Sequence, residues 1–149
     1  MIDSLNKPRA IVVGGSLGGL FAANMLLRKG WDVEVFERVP DELAGRGAGI
    51  VTHPELFEAM AAAGIPLDAS VGIDVRSRVT LAQDGDVVLE NVLPQTLTAW
   101  GKMYQVLRAA FPDSLYRCGG SVVSVESTET HASVTLADGT THQADVVIA

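Results

Sequence analysis

The sequence predicts an α/β fold, in which a parallel β-sheet built on a β–α–β unit is joined to a small antiparallel β-meander. Two observations indicate this fold. First, a β-branched run at residues 9–13 leads directly into the glycine-rich segment GGSLGG and then into a segment with no helix breaker. Second, the last third of the chain has short runs of alternating polarity, at residues 122–125, 132–136 and 140–144, separated by turn residues.

The β–α–β unit is predicted over residues 9–37. Its first strand covers residues 9–13, its helix covers residues 17–29 and ends at Gly30, and its second strand covers residues 32–37. Two parallel strands need a crossover connection between them, and this connection is right-handed in nearly all proteins.

The rest of the chain alternates helices with short strands. Proline is tolerated in the first turn of a helix, and glycine is favoured just after the last turn. We predict, in order, a loop over residues 38–49, a helix from Pro54 to Ala63 that ends at Gly64, a hairpin turn at Asp84-Gly85, a helix over residues 100–111 and a last parallel strand over residues 145–149. Because no linker or repeat interrupts this order, we expect residues 1–149 to form a single domain.

The composition restricts the class of protein. Hydrophobic residues make up 48% of the chain, enough for a core, and the net charge is -7 with no cluster of lysine or arginine. We therefore expect no binding to nucleic acid or to a membrane surface. Cys118 has no partner for an internal disulfide, which suits a cytoplasmic location, and we expect a buried thiol. A secretory signal is a poor interpretation of residues 7–27, because glycines interrupt the apolar run and no cleavage site follows.

The glycine-rich turn is the first candidate for a binding site. In the dinucleotide fingerprint G-x-G-x-x-G, the glycines allow a tight turn and bring backbone N–H groups close to a pyrophosphate at a helix N-terminus. Ser16 replaces the middle glycine, and its hydroxyl could itself donate to a phosphate. The candidate cofactor-binding residues are Gly14, Gly15, Ser16, Leu17, Gly18 and Gly19. The alternative is a tight turn with a structural role only.

Glu37 ends the second strand about twenty residues after the turn, at the position of the ribose-binding acid in the fingerprint. Its carboxylate could accept hydrogen bonds from both ribose hydroxyls and would repel a 2′-phosphate, which favours FAD or NAD over NADP. The alternative is a solvated acid at the end of a strand. Arg38 could lie flat against an adenine or face water.

The second candidate segment is RGAGI, at residues 46–50. The guanidinium of Arg46 has the donors for a phosphate or ribityl contact, and Gly49 lets the backbone run close to a flat ligand. The alternative is a flexible surface loop with a solvated arginine. No residue is singled out as a catalytic acid or base, and no cluster has the spacing of a metal site. His131 and His142 fall in the polar meander, where we expect them to be exposed.

Five motifs occur in the order seen in flavin-dependent aromatic hydroxylases of the p-hydroxybenzoate hydroxylase type, and together they cover essentially the whole chain. They are GGSLGGL, VEVFER, GRGAGIVTHPEL, TAWGKMYQVL and LADGTTHQADVVIA. The order G-G-S in the first motif and G-I-V-x-x-P-E-L in the third is similar to the dihydroxypyridine hydroxylase subgroup.

This resemblance implies a Rossmann-like FAD-binding domain. It also implies hydroxylation of a small aromatic or N-heteroaromatic substrate with O₂, with NAD(P)H as the electron donor. The dinucleotide would lie along residues 14–19 and the adenosine ribose on Glu37. Arg46 would contact the flavin, and the backbone at Val122 would approach the adenine. The sequence does not define the oligomeric state, and a homodimer is compatible with it.

The chain departs from the family at two places. Many relatives carry Arg-x-x-Leu at the start of the helix that here begins Trp100-Gly-Lys-Met103, so we assign Trp100 no cofactor role. The family's Ala-Asp-Gly motif does not follow Ala149, so we expect the N-terminal part of an FAD-binding domain, truncated before the substrate domain. Two alternatives stay open: a non-catalytic FAD-binding remnant and an NAD-binding oxidoreductase domain.

Overall fold

The computed structural model describes residues 7–43, 45 and 47–149, and it confirms the predicted α/β fold. Two short 3₁₀ helices, at Ala69–Val71 and Asp113–Leu115, accompany the main elements. The main elements are β1 (Arg9–Val13), α1 (Leu17–Arg28), β2 (Asp32–Glu37), β3 (Gly49–Val51), α2 (Pro54–Ala62), β4 (Ile73–Leu81), β5 (Val87–Ala99), α3 (Trp100–Ala110), β6 (Tyr116–Cys118), β7 (Val122–Ser127), β8 (Ala132–Leu136), β9 (Thr141–Ala144) and β10 (Val146–Ile148).

A parallel sheet of order β10-β1-β2-β6 forms the centre of the described structure. The predicted β–α–β unit is confirmed, because β1 and β2 are neighbours, with Ala10 opposite Val33, and α1 connects them. The predicted return of the last strand is confirmed too, since Val146 lies opposite Ala10. Strand β6 was not predicted, because three residues are too few to show a periodicity; it pairs with β2 through Tyr116 opposite Val35.

Successive side chains of β1 enter two different cores. Ala10 and Val12 pack into the larger core with residues of α1 and α3, whereas Ile11 packs into a smaller core with Phe36 and Val134. Side chains alternate along a strand, so a strand covered on both faces needs a continuous apolar run. The predicted meander, β7-β8-β9, is confirmed and covers the face of the parallel sheet opposite the helices.

A buried carboxylate lies on the meander side of the sheet. Glu34 is 8% exposed and accepts hydrogen bonds from Arg9 at 3.1 Å and from Arg117 at 2.8 Å. The ring of His142 lies 3.8 Å from the same carboxylate and packs against the ring of Phe36. The expectation that His142 is exposed is therefore wrong, because the meander places this residue against the sheet.

The solvent exposure of Cys118 and of His131 can also be compared with the prediction from the sequence. Cys118 is exposed, so the expectation of a buried thiol is wrong. The reason is its place as the last residue of β6, at the edge of the parallel sheet. His131, just before β8, is half-buried, so the expectation that it is exposed is not confirmed.

The remaining sheet, of order β3-β5-β4, contains the longest strands. The predicted hairpin is confirmed, since β4 and β5 are antiparallel and Gly85 has a φ of +97° in the turn between them. The predicted loop over residues 38–49 extends one residue too far. Gly49 already belongs to β3, where it lies opposite Ala99.

The hairpin of β4 and β5 leaves much apolar surface exposed. Val92 is 80% exposed and Ile73 is 74% exposed. The exposed large apolar residues of the two strands are Ile73, Val79, Leu81, Val87, Val88, Leu89, Val92, Leu93 and Leu97. Burial therefore stabilises the parallel sheet far more than it stabilises the outer part of this hairpin.

Helices α1 and α3 pack side by side on the parallel sheet. The buried amide of Asn24 joins them, since it donates to the carbonyl of Leu20 at 2.9 Å and to the carbonyl of Leu107 at 3.0 Å. Leu107 is in the last turn of α3, where carbonyl groups lack partners within the helix. None of the helices in the described ranges is long and apolar enough to cross a membrane.

We predict that Asn24→Ala lowers the free energy of unfolding by about 1–3 kcal/mol, because it leaves a buried carbonyl without its donor. Chemical denaturation followed by circular dichroism measures this change. Asn91→Ala is the control, since it makes the same substitution at an exposed position in β5 and should cost less than about 0.5 kcal/mol. Equal effects of the two substitutions would show that the amide of Asn24 contributes nothing to stability.

Candidate dinucleotide site

The glycine-rich turn between β1 and α1 has a tight backbone geometry. Gly14 has a φ of +100°, a conformation that favours glycine, and its N–H donates to the carbonyl of Phe36 at 2.8 Å. A Cβ at Gly19 would overlap the carbonyl of Gly14. The first turn of α1 can therefore pack this closely against the turn only when residue 19 is glycine.

Gly15 is held by two side chains of the sheet. Its N–H donates to Glu37 Oε2 at 2.8 Å, and its carbonyl accepts from the hydroxyl of Tyr116 at 3.0 Å. A Cβ at Gly15 would overlap the ring and hydroxyl of Tyr116. The second glycine of the GGSLGG segment is thus required by contact with the protein interior.

The start of α1 leaves backbone donors available. The first hydrogen bond within the helix runs from the N–H of Leu20 to the carbonyl of Ser16. The three preceding N–H groups, of Leu17, Gly18 and Gly19, therefore have no acceptor within the helix. The side chain of Ser16 makes no capping hydrogen bond, and a Cβ at Gly18 would have no neighbour within 4 Å. An anion at this end would meet N–H groups, open space and the positive end of the helix dipole.

Glu37 is nearly buried, with 6% of its surface exposed, and it retains capacity to accept further hydrogen bonds. Its Oε1 accepts from the N–H of Val39 at 2.9 Å, and its Oε2 accepts from the N–H of Gly15. Each carboxylate oxygen has two lone pairs, so one remains on each oxygen. The alternative of a solvated acid is therefore wrong.

A cavity of about 210 Å³ lies at the carboxyl ends of β1 and β2, beside the glycine-rich turn. Ligands of open α/β sheets bind at this end of the strands. The cavity brings together four predicted site residues, Gly14, Glu37, Arg38 and Val122. Its other lining residues, which were not predicted as site residues, are Val13, Phe36, Gly120 and Ser121. The adjacent glycines at 119 and 120 were the available signal for a chain that turns close to a ligand.

The other predicted residues of the glycine-rich turn, residues 15–19, do not line this cavity, and neither does Gly49. Gly49 begins β3. Arg46 lies outside the described residues, so its predicted contact with a cofactor stays a prediction.

Trp100 anchors the segment that precedes β3. Its N–H donates to the carbonyl of Ala48 at 2.9 Å, and its side chain would overlap a Cβ at Gly47, whose φ is +93°. The indole stacks on the ring of Tyr104, with 5.2 Å between the centroids. Trp100 therefore has a packing role in the structure.

Tyr116 is a residue of the site that was not predicted. It is 6% exposed, its hydroxyl lies 3.5 Å from the hydroxyl of Tyr104, and the guanidinium of Arg108 lies 4.4 Å from its ring centre. Burial and the hydrogen bond with Tyr104 raise the pKa of Tyr116 well above its usual range. The hydroxyl therefore stays protonated and can donate to the carbonyl of Gly15.

A larger cavity, of about 570 Å³, lies beside α2, where a β-bulge interrupts the pairing of β4 and β5. Pro54 and Phe57 of α2 and Pro94 of β5 form apolar walls, and His53 and Arg76 add polar groups. None of the predicted cofactor residues lines it. Its size and mixed lining are typical of sites for small molecules.

The sequence is similar to those of two curated monooxygenases. No family model matches the chain. The chain is 34% identical over 141 residues to 2,6-dihydroxypyridine 3-monooxygenase of Paenarthrobacter nicotinovorans. This match covers 94% of this chain and 35% of that protein. The chain is also 33% identical to 6-hydroxynicotinate 3-monooxygenase of Pseudomonas fluorescens, over 95% of this chain and 40% of that protein. The chain thus spans 35% to 40% of the length of these relatives.

Solved structures agree with the sequence comparison. The structure of 2,6-dihydroxypyridine-3-hydroxylase from Arthrobacter nicotinovorans matches with a TM-score of 0.84 and 33% identity, over 95% of this chain and 36% of that chain. HpxO of Klebsiella pneumoniae, complexed with FAD and uric acid, shares the fold, with a TM-score of 0.78 at 20% identity over 94% of this chain and 38% of that chain. This chain is therefore a relative of the FAD-dependent aromatic hydroxylases and matches the N-terminal portion of their sequences.

Proposed function

We propose that the chain forms the N-terminal part of an FAD-binding domain, and that its glycine-rich turn binds the ADP portion of FAD. The pyrophosphate would accept hydrogen bonds from the N–H groups at the start of α1, with the Ser16 hydroxyl as a further donor. The two ribose hydroxyls would donate to the free lone pairs of Glu37. The adenine would lie in the 210 Å³ cavity beside Val122, with Arg38 at its edge.

The main support for this proposal is that the two sides of the glycine-rich turn offer groups complementary to two parts of FAD, the pyrophosphate and the ribose. On the helix side, N–H groups without intrahelical acceptors and the open space at Gly18 suit a pyrophosphate. On the sheet side, the Glu37 carboxylate suits a ribose without a 2′-phosphate, because a phosphate there would meet a buried negative charge. The residues present therefore fit the cofactor.

We propose further that the reaction is hydroxylation of an aromatic or N-heteroaromatic ring. FAD, when bound, would supply the activation of O₂, with NAD(P)H as the source of electrons. The names of the two relatives above, which refer to 2,6-dihydroxypyridine and 6-hydroxynicotinate, support an N-heteroaromatic substrate. The described residues of this chain would bind and orient the cofactor, and none is assigned a proton transfer.

Visible absorption after incubation with FAD and exhaustive dialysis tests cofactor binding directly. Retained flavin colour is the expected result, and a colourless protein that binds NAD⁺ would instead favour the NAD-binding alternative. A second candidate is an FAD-binding protein without turnover. Substrate-dependent oxidation of NADH or NADPH by the flavin-loaded chain, assayed with 6-hydroxynicotinate, separates that candidate from an active hydroxylase.

We predict that Gly18→Ala weakens FAD binding by about tenfold or more while raising stability by up to about 1 kcal/mol. The added methyl group enters the open space that the pyrophosphate would occupy, yet alanine is the better helix former. Isothermal titration and thermal denaturation measure the two effects. Gly19→Ala provides the contrast, because its Cβ overlaps the Gly14 carbonyl and should destabilise the fold. Unchanged FAD affinity in Gly18→Ala would place the cofactor elsewhere.

The burial of Glu37 predicts a preference among nucleotides. The chain should bind ADP at least about tenfold more tightly than ADP carrying a 2′-phosphate, because a buried carboxylate repels that phosphate. Competition with bound FAD provides the measurement. Equal affinities would contradict a ribose contact with Glu37, even if both nucleotides bind at the turn.

We propose that the 570 Å³ cavity receives the ring of the substrate, because its apolar walls and its polar groups suit a small heterocycle. Amide NMR shifts on addition of 6-hydroxynicotinate to the FAD-loaded chain should cluster at Thr52, His53, Phe57, Gln95 and Thr96. Phe57→Ala should weaken binding by about tenfold, since it removes an apolar wall. Val88→Ala, an exposed site in the same hairpin, should leave binding unchanged. Shifts confined to other residues would contradict this location.

A further inference from the structure

We propose that Tyr116 is a positioning residue for the nucleotide: by holding the carbonyl of Gly15, it directs the N–H of Ser16 towards the pyrophosphate. The inference rests on the proposed function, because it concerns how the same turn meets its ligand. It assigns a role to a side chain that itself lies in the core, behind the turn.

The direction of the Ser16 N–H follows from the planarity of the peptide bond. The bond between Gly15 and Ser16 is trans, because the described residues contain no cis peptide. In a trans peptide, the carbonyl and the following N–H point in opposite directions. The Gly15 carbonyl points inward to the hydroxyl of Tyr116, so the Ser16 N–H points away from the core. Ser16 is exposed there, and no acceptor for its N–H is found among the described residues.

Two contacts on opposite sides of Gly15 are needed to hold this orientation. Glu37 binds the N–H of Gly15, but that bond alone leaves the following peptide plane free to rotate. Glycine has no Cβ to restrict this rotation, and alanine cannot replace it because a Cβ would overlap Tyr116. The hydrogen bond from Tyr116 to the Gly15 carbonyl supplies the second contact. Both side chains come from neighbouring strands, β2 and β6.

The side chain of Tyr116 is itself held in place within the core. The guanidinium of Arg108 lies over the ring of Tyr116 and holds it, whereas the hydroxyl of Tyr104, 3.5 Å from that of Tyr116, makes only a long and weak hydrogen bond to it. Tyr104 in turn accepts a hydrogen bond from the N–H of Leu43 at 3.3 Å, and among the described residues it makes no hydrogen bond to the turn. The described core therefore contains two buried tyrosine hydroxyls close together, of which that of Tyr116 donates to the glycine-rich turn. This pair provides a matched comparison.

The test compares Tyr116→Phe with Tyr104→Phe in the full chain, using FAD as the probe. Each substitution removes one buried hydroxyl and keeps the ring, so the packing of the core is retained in both. Tyr116→Phe should weaken FAD binding by about tenfold, because the Gly15 carbonyl loses its donor and the peptide can rotate. Tyr104→Phe should change the affinity by less than about twofold. Isothermal titration measures both affinities, and thermal denaturation reports stability separately, so a purely structural loss in Tyr116→Phe would appear in stability alone.

A second measurement uses the unsubstituted chain and so does not depend on the folding of a variant. The amide proton of Ser16 should shift downfield in NMR spectra when FAD binds, because it gains an anionic acceptor. If FAD binds without this shift, or with equal affinity in Tyr116→Phe, the positioning role is overturned while the proposed function stands. If the unsubstituted chain binds no FAD, the proposed function fails and the positioning role fails with it.

Discussion

The hydrogen bond from the Gly15 N–H to the Glu37 carboxylate determines how the rest of the site is arranged. It joins the turn after β1 to the end of β2, and both groups are buried. A hydrogen bond to a carboxylate is stronger than one between neutral groups, and more so where water is excluded. The bond also removes one N–H from the set that a ligand can use. The donors that remain begin at Ser16, on the exposed side of the turn.

The parallel sheet can support such a site because it is covered on both faces. Helices α1 and α3 cover one face, the meander covers the other, and the strand ends that carry Gly14 and Glu37 are thereby held in register. The hairpin of β4 and β5 has no comparable cover in the described structure, and its apolar side chains are largely exposed. We therefore expect the two regions to differ in stability, with the residues that position the turn in the more stable one.

The elements of the β–α–β unit, the glycine-rich turn and Glu37 could be predicted because their signals in the sequence are local. A β-branched run, a glycine turn and a breaker-free segment define β1 and α1, and Glu37 stands at a fixed spacing from the turn. The missed features depend on tertiary contacts. Strand β6 is too short to show a period, and Tyr116 acquires its contact with Gly15 only when β6 pairs with β2. The exposure of Cys118 also follows from that pairing at the sheet edge.

The electrostatics of the chain explain why the orientation of single peptide groups matters here. The net charge is -7, and the carboxylate of Glu37 borders the turn, so the proposed pyrophosphate would approach an unfavourable field. In the described residues, Arg38 is the cation that lines the nearby cavity, and it is exposed, where water screens its charge. Among the described residues, attraction would then come mainly from backbone N–H groups and the dipole of α1, which act only over short distances. A donor that is rotated away cannot be replaced by long-range charge, so a buried hydroxyl behind the turn can decide whether an anion in front of it is bound.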